Sequence, residues 1–88
     1  MTSSEVLSMY ENIAGLTNKM VVAAQASDWN GLDRLENQCA AASVATISGV
    51  PALAGAARQR KIELLKQILA NDRAIRDVTE PWVAQLNG

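Results

Sequence analysis

The sequence contains no histidine and only one cysteine, and these two absences limit the chemistry it can perform. Without histidine, the chain lacks the commonest general base and the commonest metal ligand in proteins. Cys39 alone cannot form an internal disulfide, which favours a reducing compartment, and it lacks the histidine that would activate a thiol nucleophile. We therefore expect a protein that is not an enzyme and has no cofactor and no metal site.

Aromatic residues are also scarce. Phenylalanine is absent, and two tryptophans and one tyrosine are the only large rings among 88 residues. The core must therefore be built from alanine, leucine, valine, isoleucine and methionine, which suits closely packed helices. A chain of this length forms one small domain and buries a modest fraction of its surface, so a partner or a second copy would add stability.

Neither charge nor hydropathy indicates a nucleic acid or a membrane as a partner. The net charge is −1, so the chain lacks the basic surface that nucleic-acid binding requires. The longest apolar run, residues 20–24, is far shorter than the roughly 20 residues needed to cross a bilayer. The N-terminus has no basic start typical of a signal peptide. We expect a cytoplasmic protein without membrane insertion.

Apolar residues recur at three- and four-residue spacing, which predicts helices throughout. Thr2 and Glu5 fit a capping box at the start of the first helix, whose apolar face covers about half of its circumference. Ser27 and Asp28 can cap a second helix. The run 48–51, Ser-Gly-Val-Pro, is the clear break before a third.

The third helix carries the strongest pattern, from Arg58 to Trp82. Pro81 removes a backbone donor, so we expect a kink there and a short separate segment after it. The fold predicted is all-α, an antiparallel three-helix bundle or hairpin with a long third helix kinked near Pro81. A single domain over residues 1–88 would then contain helices at about 3–26, 28–48, 52–79 and 80–87.

Polar side chains interrupt the apolar stripe of the third helix. At 100° per residue, Asp72 lies near the centre of the apolar arc, with Arg76 and Thr79 beside it. Asp72 and Arg76, four residues apart, can pair with each other at the edge of the core. Alternatively, the three residues line a groove for a partner, where polar groups fix the register and aliphatic side chains supply affinity.

The two tryptophans have different expected places. Trp29 is expected to anchor the first two helices to each other, and Cys39 is expected to be a small core residue. Trp82 in the terminal segment either closes the bundle or covers a groove and swings away on binding, with Pro81 as a hinge.

Two segments resemble a known family. The layout of DWNGLDRLE (28–36), after a first helix rich in methionine and valine, is similar to the second-helix opening of the flagellar protein FliT family. The segment RKIELLKQILANDRAIR (60–76), followed by TEPW (79–82), resembles the long third helix of that family. The order and lengths of the predicted helices also agree across essentially the whole chain.

The resemblance implies a cytoplasmic chaperone of flagellar type III export. Such chaperones hold the C-terminal region of the filament-cap protein FliD until it is exported, and are also associated with export-apparatus components. Carried over to this sequence, the resemblance implies a partner-binding groove. Its expected residues are Leu65, Ile68, Asp72, Ile75, Arg76, Thr79 and Trp82, with Leu32 and Leu35 opposite.

Two other functions use the same apolar face. The chain could form a structural homodimer, or it could sequester a flagellar transcription activator, as some family members do. In the best-known relatives a fourth, C-terminal helix competes for the groove. Here Gly88 follows soon after Trp82, so we expect that helix to be absent or reduced to a stub after Pro81.

Overall fold

Three helices make up the fold: α1 (Ser3–Gln25), α2 (Trp29–Ile47) and α3 (Gly55–Asn87). The computed structural model describes residues 2–47 and 52–87, of which the side chains of 45–47 and 82–87 are not described. The helical assignment confirms the predicted all-α class, while the expected break at 48–51 lies outside the described residues. None of the helices in the described part is long and apolar enough to cross a membrane.

The start of α1 is the predicted capping box. The Glu5 backbone N–H donates to the Thr2 side-chain oxygen at 3.1 Å, and the Thr2 backbone N–H donates to the Glu5 carboxylate at 3.2 Å. Hydrogen bonds to the Glu5 carboxylate, first from the Thr2 backbone N–H and second from the Thr2 side chain, lower the pKa of Glu5. The carboxylate therefore supports the cap at neutral pH, and its support is lost as the pH falls through that lowered pKa.

The turn between α1 and α2 provides hydrogen bonds for backbone carbonyls at the end of α1 and for a backbone N–H at the start of α2. Ser27 adopts a positive φ of 57°, and its N–H donates to the carbonyl of Ala24 at 3.1 Å. The Asp28 N–H donates to the carbonyl of Ala23 at 2.8 Å, completing a Schellman motif. The Asp28 carboxylate then accepts from the Gly31 N–H at 3.0 Å, which confirms Asp28 as the cap of α2.

Gly31 lies directly beside the carboxylate of Asp28. A Cβ atom at this position would lie 2.7 Å from the Cγ atom of Asp28, inside the distance that real contacts allow. Helix propensity alone marks Gly31 as a weak point in the first turn of α2. The structure shows that the missing side chain leaves room for the carboxylate that caps the helix.

The helices run up, down and up, with α1 in contact with both others. Glu11 pairs with Arg60, Thr17 bonds Asn71, and further along Ala24 packs with Ile75, so α1 and α3 run parallel. The short turn at 26–28 returns α2 antiparallel to α1. Among the described residues, no Cα atom of α2 lies within 8 Å of one in α3.

The core follows α1, whose wide apolar face is in contact with two neighbours, as the sequence predicts. Its buried residues are Val6, Ile13, Ala14, Thr17, Ala23 and Ala24. At the end near the first turn, Ala23 and Ala24 form a cluster with Leu32 of α2 and Ile75 of α3. Two alanines side by side allow both neighbouring helices to approach α1 closely.

A polar cluster joins α1 to α3. The Asn71 amide donates to the Thr17 hydroxyl at 3.0 Å and to the Asn18 side-chain oxygen at 2.6 Å. The Thr17 hydroxyl in turn donates to the carbonyl of Ala14 at 2.8 Å, and the Gln67 amide reaches Asn18 at 3.3 Å. Within the described residues, no buried side-chain nitrogen or oxygen lacks a partner.

The face that α3 turns toward α1 is one part of the predicted apolar arc. Leu64 and Ile75 are buried, and Ile68, Asn71 and Val78 are among the half-buried positions. Asp72, which the spacing places near the centre of the apolar arc, is exposed. The apolar arc of α3 is wider than the surface α1 can cover, and the bonds of Asn71 select which part of the arc is buried.

Two further expectations are corrected by the helix ends. Pro81 lies inside α3 rather than at a boundary, so residues 80–87 continue the helix instead of forming a separate segment. The helix tolerates Pro81 at the loss of one backbone hydrogen bond, the one its missing N–H would give to Asp77. Trp29, expected to anchor α1 to α2, is 39% exposed at the first position of α2.

Ser27 offers a direct test of the Schellman turn. Glycine adopts positive φ without the steric cost that a Cβ atom brings, so Ser27→Gly should stabilise the protein by about 0.5–1 kcal/mol. Urea denaturation followed by circular dichroism measures the change. A loss of stability would show that the Ser27 side chain contributes more than its strained backbone costs.

Asn71 and Gln67 form a matched pair for testing the polar cluster. Asn71→Ala removes the partly buried bond to Thr17, and we expect a loss of about 1–2 kcal/mol in the free energy of unfolding. Gln67→Ala removes only a long, exposed bond to Asn18 and should change stability by less than about 0.5 kcal/mol. Equal effects of the two substitutions in chemical denaturation would contradict a specific role for Asn71.

Candidate functional site

Two of the nine residues expected to line a partner groove lie in the core. Leu32 and Ile75 are buried against Ala23 and Ala24, where they hold α2 and α3 onto α1. They cannot form part of an open surface while the helices are packed in this way. The spacing argument could not separate them from the groove, because buried and open positions share one apolar arc.

The other seven residues fall into three groups. Leu65, Asp72 and Arg76 are exposed on α3. Three more are half-buried, and these are Ile68, Thr79 and Leu35. The side chain of Trp82 lies outside the described residues, so its place in the bundle or over a groove stays a prediction.

Asp72 and Arg76 form an ion pair within α3. The Arg76 Nε atom lies 3.2 Å from the Asp72 carboxylate, and both side chains are more than half exposed. This confirms that the two residues can satisfy each other, four apart on one helix. An exposed pair of this kind contributes only about 0.3–0.5 kcal/mol, so a partner could separate it at little cost.

Leucine side chains lie directly beside this pair. Leu69 is 67% exposed and Leu65 is 36% exposed, which are large fractions for residues of this size. Together with Asp72 and Arg76 they make up what we term the open strip. Leu69 was not among the nine expected residues, although its spacing from Leu65 and Asp72 places it on the same flank of α3.

The open strip borders the gap between α2 and α3. Gln67 and Asn71 extend toward Asn18 on one flank of α3, and at 100° per residue Leu65 and Asp72 lie on the opposite flank. On α1, Asn18 and Ala23 lie about 140° apart, and Ala23 shares a cluster with Leu32 of α2, so the second flank is the one nearer to α2. The strip is therefore one wall of the gap, and the half-buried Leu35 lies on the α2 side.

A shallow depression of about 400 Å³ adjoins the C-terminal end of the strip. Charges of both signs surround it. Its lining residues are Leu69, Asp72, Arg73, Arg76, Asp77 and Glu80. Within residues 2–47 and 52–87, no group of three metal-binding side chains lies close enough to hold an ion. The surface is thus an exposed pair of leucines with a polar margin.

Comparison with known proteins identifies the family. No curated protein matches the chain. Among solved structures, the crystal structure of flagellar protein FliT from Bordetella bronchiseptica matches with a TM-score of 0.83 at 36% identity, over 93% of this chain and 95% of that one. The family model for flagellar protein FliT matches residues 7–88. The resemblance seen in the sequence is therefore confirmed, and the chain belongs to the FliT family of flagellar proteins.

Proposed function

We propose that this protein is a chaperone of flagellar type III export that binds the C-terminal segment of the filament-cap protein in the cytoplasm before secretion. The observation that supports this most directly is the open strip, in which Leu65 and Leu69 remain exposed next to a charged pair. Membership of a flagellar family supports a role in the flagellar system, and the strip supplies a surface for a helical client.

The strip suits an amphipathic client helix on energetic grounds. Full burial of a leucine side chain is worth about 1.5–3 kcal/mol, so the two exposed leucines provide a useful but incomplete part of the affinity. A client lying along the gap would also cover Ile68 and Leu35. The Asp72–Arg76 pair would contribute little affinity, but polar groups at such a margin fix the direction and register of a bound helix.

The mechanism is binding and release without chemical turnover. An apolar client segment that is left exposed promotes aggregation or premature assembly, and covering it on the chaperone prevents both. Contacts with export-apparatus components would then deliver the client. The open strip could also pair with a second copy of the chain or with a transcription activator, and the first experiment below separates these alternatives.

The first test is a calorimetric titration with the C-terminal segment of the filament-cap protein. We expect saturable binding of one segment per chain with a negative heat-capacity change, because apolar surface is buried. Light scattering on the free protein is recorded in parallel. Absence of binding together with a stable dimer would favour the homodimeric scaffold, and absence of both would favour a regulatory partner.

Leu69 and Val22 form a matched pair for locating the site. They are 67% and 66% exposed, but Val22 lies on α1, outside the open strip. Leu69→Ala should weaken client binding about tenfold, corresponding to roughly 1.4 kcal/mol of lost apolar contact. Val22→Ala should leave the affinity unchanged. Melting temperatures of both variants should stay close to the original, and a similar loss of affinity in both would exclude the open strip as the site.

A further inference from the structure

The helix α2 is buried at its start and poorly covered beyond it. Gly31 and Leu32 are buried, whereas no residue from 33 to 44 is buried. Of these, Leu35, Cys39, Ala42 and Ser43 are half-covered. We term residues 33–44 the α2 arm. Elements with few buried apolar contacts open at lower free energy than the rest of a fold.

The other two helices are joined more firmly. Leu64 and Ile75 of α3 are buried, and hydrogen bonds from Asn71 and Gln67 connect α3 to α1. The pair Arg60–Glu11, 3.7 Å apart, adds a connection near the beginning of α3. The α2 arm makes no close backbone approach to α3 in the described residues. Its displacement would therefore leave the α1–α3 pair intact.

The apolar face of α1 is covered by its two neighbouring helices in the structure. Ile13, Thr17 and Ala24 are all buried, because α2 and α3 both pack onto α1. Packed helices lie 8–10 Å apart, so a client helix at the open strip cannot also contact α1 unless a neighbour moves. The weakly covered neighbour is the α2 arm.

We propose that the α2 arm is a movable cover. It detaches from α1 and loses its helical structure, which allows a client helix to move from the open strip onto the apolar face of α1. This inference rests on the proposed chaperone function. The firmly capped turn remains in place, because Asp28 and Leu32 hold the start of α2 against α1. Within the arm, the Ser43 hydroxyl donates to the carbonyl of Cys39 at 2.8 Å, a bond that slightly weakens a helix.

Native-state amide hydrogen exchange, measured by NMR at increasing urea concentration, tests the independence of the arm. We expect amides of residues 37–44 to exchange at least about tenfold faster than those of residues 13–24, with little dependence on urea. Local opening exposes little surface, whereas global unfolding responds steeply to urea. Equal exchange rates and equal urea slopes in both segments would show that α2 opens only with the whole molecule and would overturn the proposal.

Asn37 and Asn12 allow the opening to be shifted in one helix at a time. Both are exposed, in α2 and α1 respectively, and alanine has the higher helix propensity. Asn37→Ala should slow exchange in the α2 arm by about threefold and leave α1 unchanged. Asn12→Ala should not affect exchange in the arm. Equal responses of both helices to either substitution would contradict an independent arm.

The same variants test whether opening admits the client. If the client must wait for the open form, Asn37→Ala lowers the open fraction and weakens the apparent affinity about threefold, while Asn12→Ala does not. Client binding that is unaffected by Asn37→Ala would overturn the role of the arm without affecting the chaperone proposal. A complete lack of client binding would overturn the chaperone proposal, and the exchange experiment would still decide whether the arm opens.

Discussion

The close packing of two helices onto the paired alanines of α1 is the constraint on which the rest of the structure depends. Ala24 is fully buried, and Ala23 nearly so, between Leu32 of α2 and Ile75 of α3. Larger side chains here would force the neighbours apart, since packed interiors leave little free space. The Schellman turn immediately after Ala24 fixes where α2 departs, so the main apolar contact and the main turn support each other.

In the described residues the backbones of α2 and α3 stay apart from each other, and the polar cluster connects α3 to α1. Apolar contact alone would allow α3 to rotate, because Leu64, Leu65, Ile68 and Leu69 offer two adjoining apolar faces. Asn71 favours one orientation, since only that orientation satisfies its hydrogen bonds to α1. Buried polar groups in helical proteins commonly specify register in this way. A consequence is that Leu65 and Leu69 remain on the surface.

The sequence predicted the helices and their caps well, because these depend on local physics. The capping box of Thr2 and Glu5 and the cap at Asp28 involve residues only three positions apart. The exposed and buried parts of α3 were not predictable. Ile75 and Leu69 belong to the same apolar arc, and the hydrophobic pattern alone does not show which part of that arc α1 covers. That information lies in a bond between Asn71 and Thr17, residues far apart in the chain. Pro81 was overestimated as a breaker, since a long helix can lose one hydrogen bond.

Few residues of α2 are buried, and this incomplete packing would be useful in the proposed chaperone. A fully packed bundle would offer a client no apolar surface, and an open bundle would itself aggregate. Here only two leucines are exposed in the strip, while the buried residues of α1 lie beneath its two neighbours. In the proposed mechanism, binding through opening would lower the affinity by the free energy of opening, which would favour release of a client that is passed on for export. Loose packing of α2 would then serve both protection of the client and its delivery.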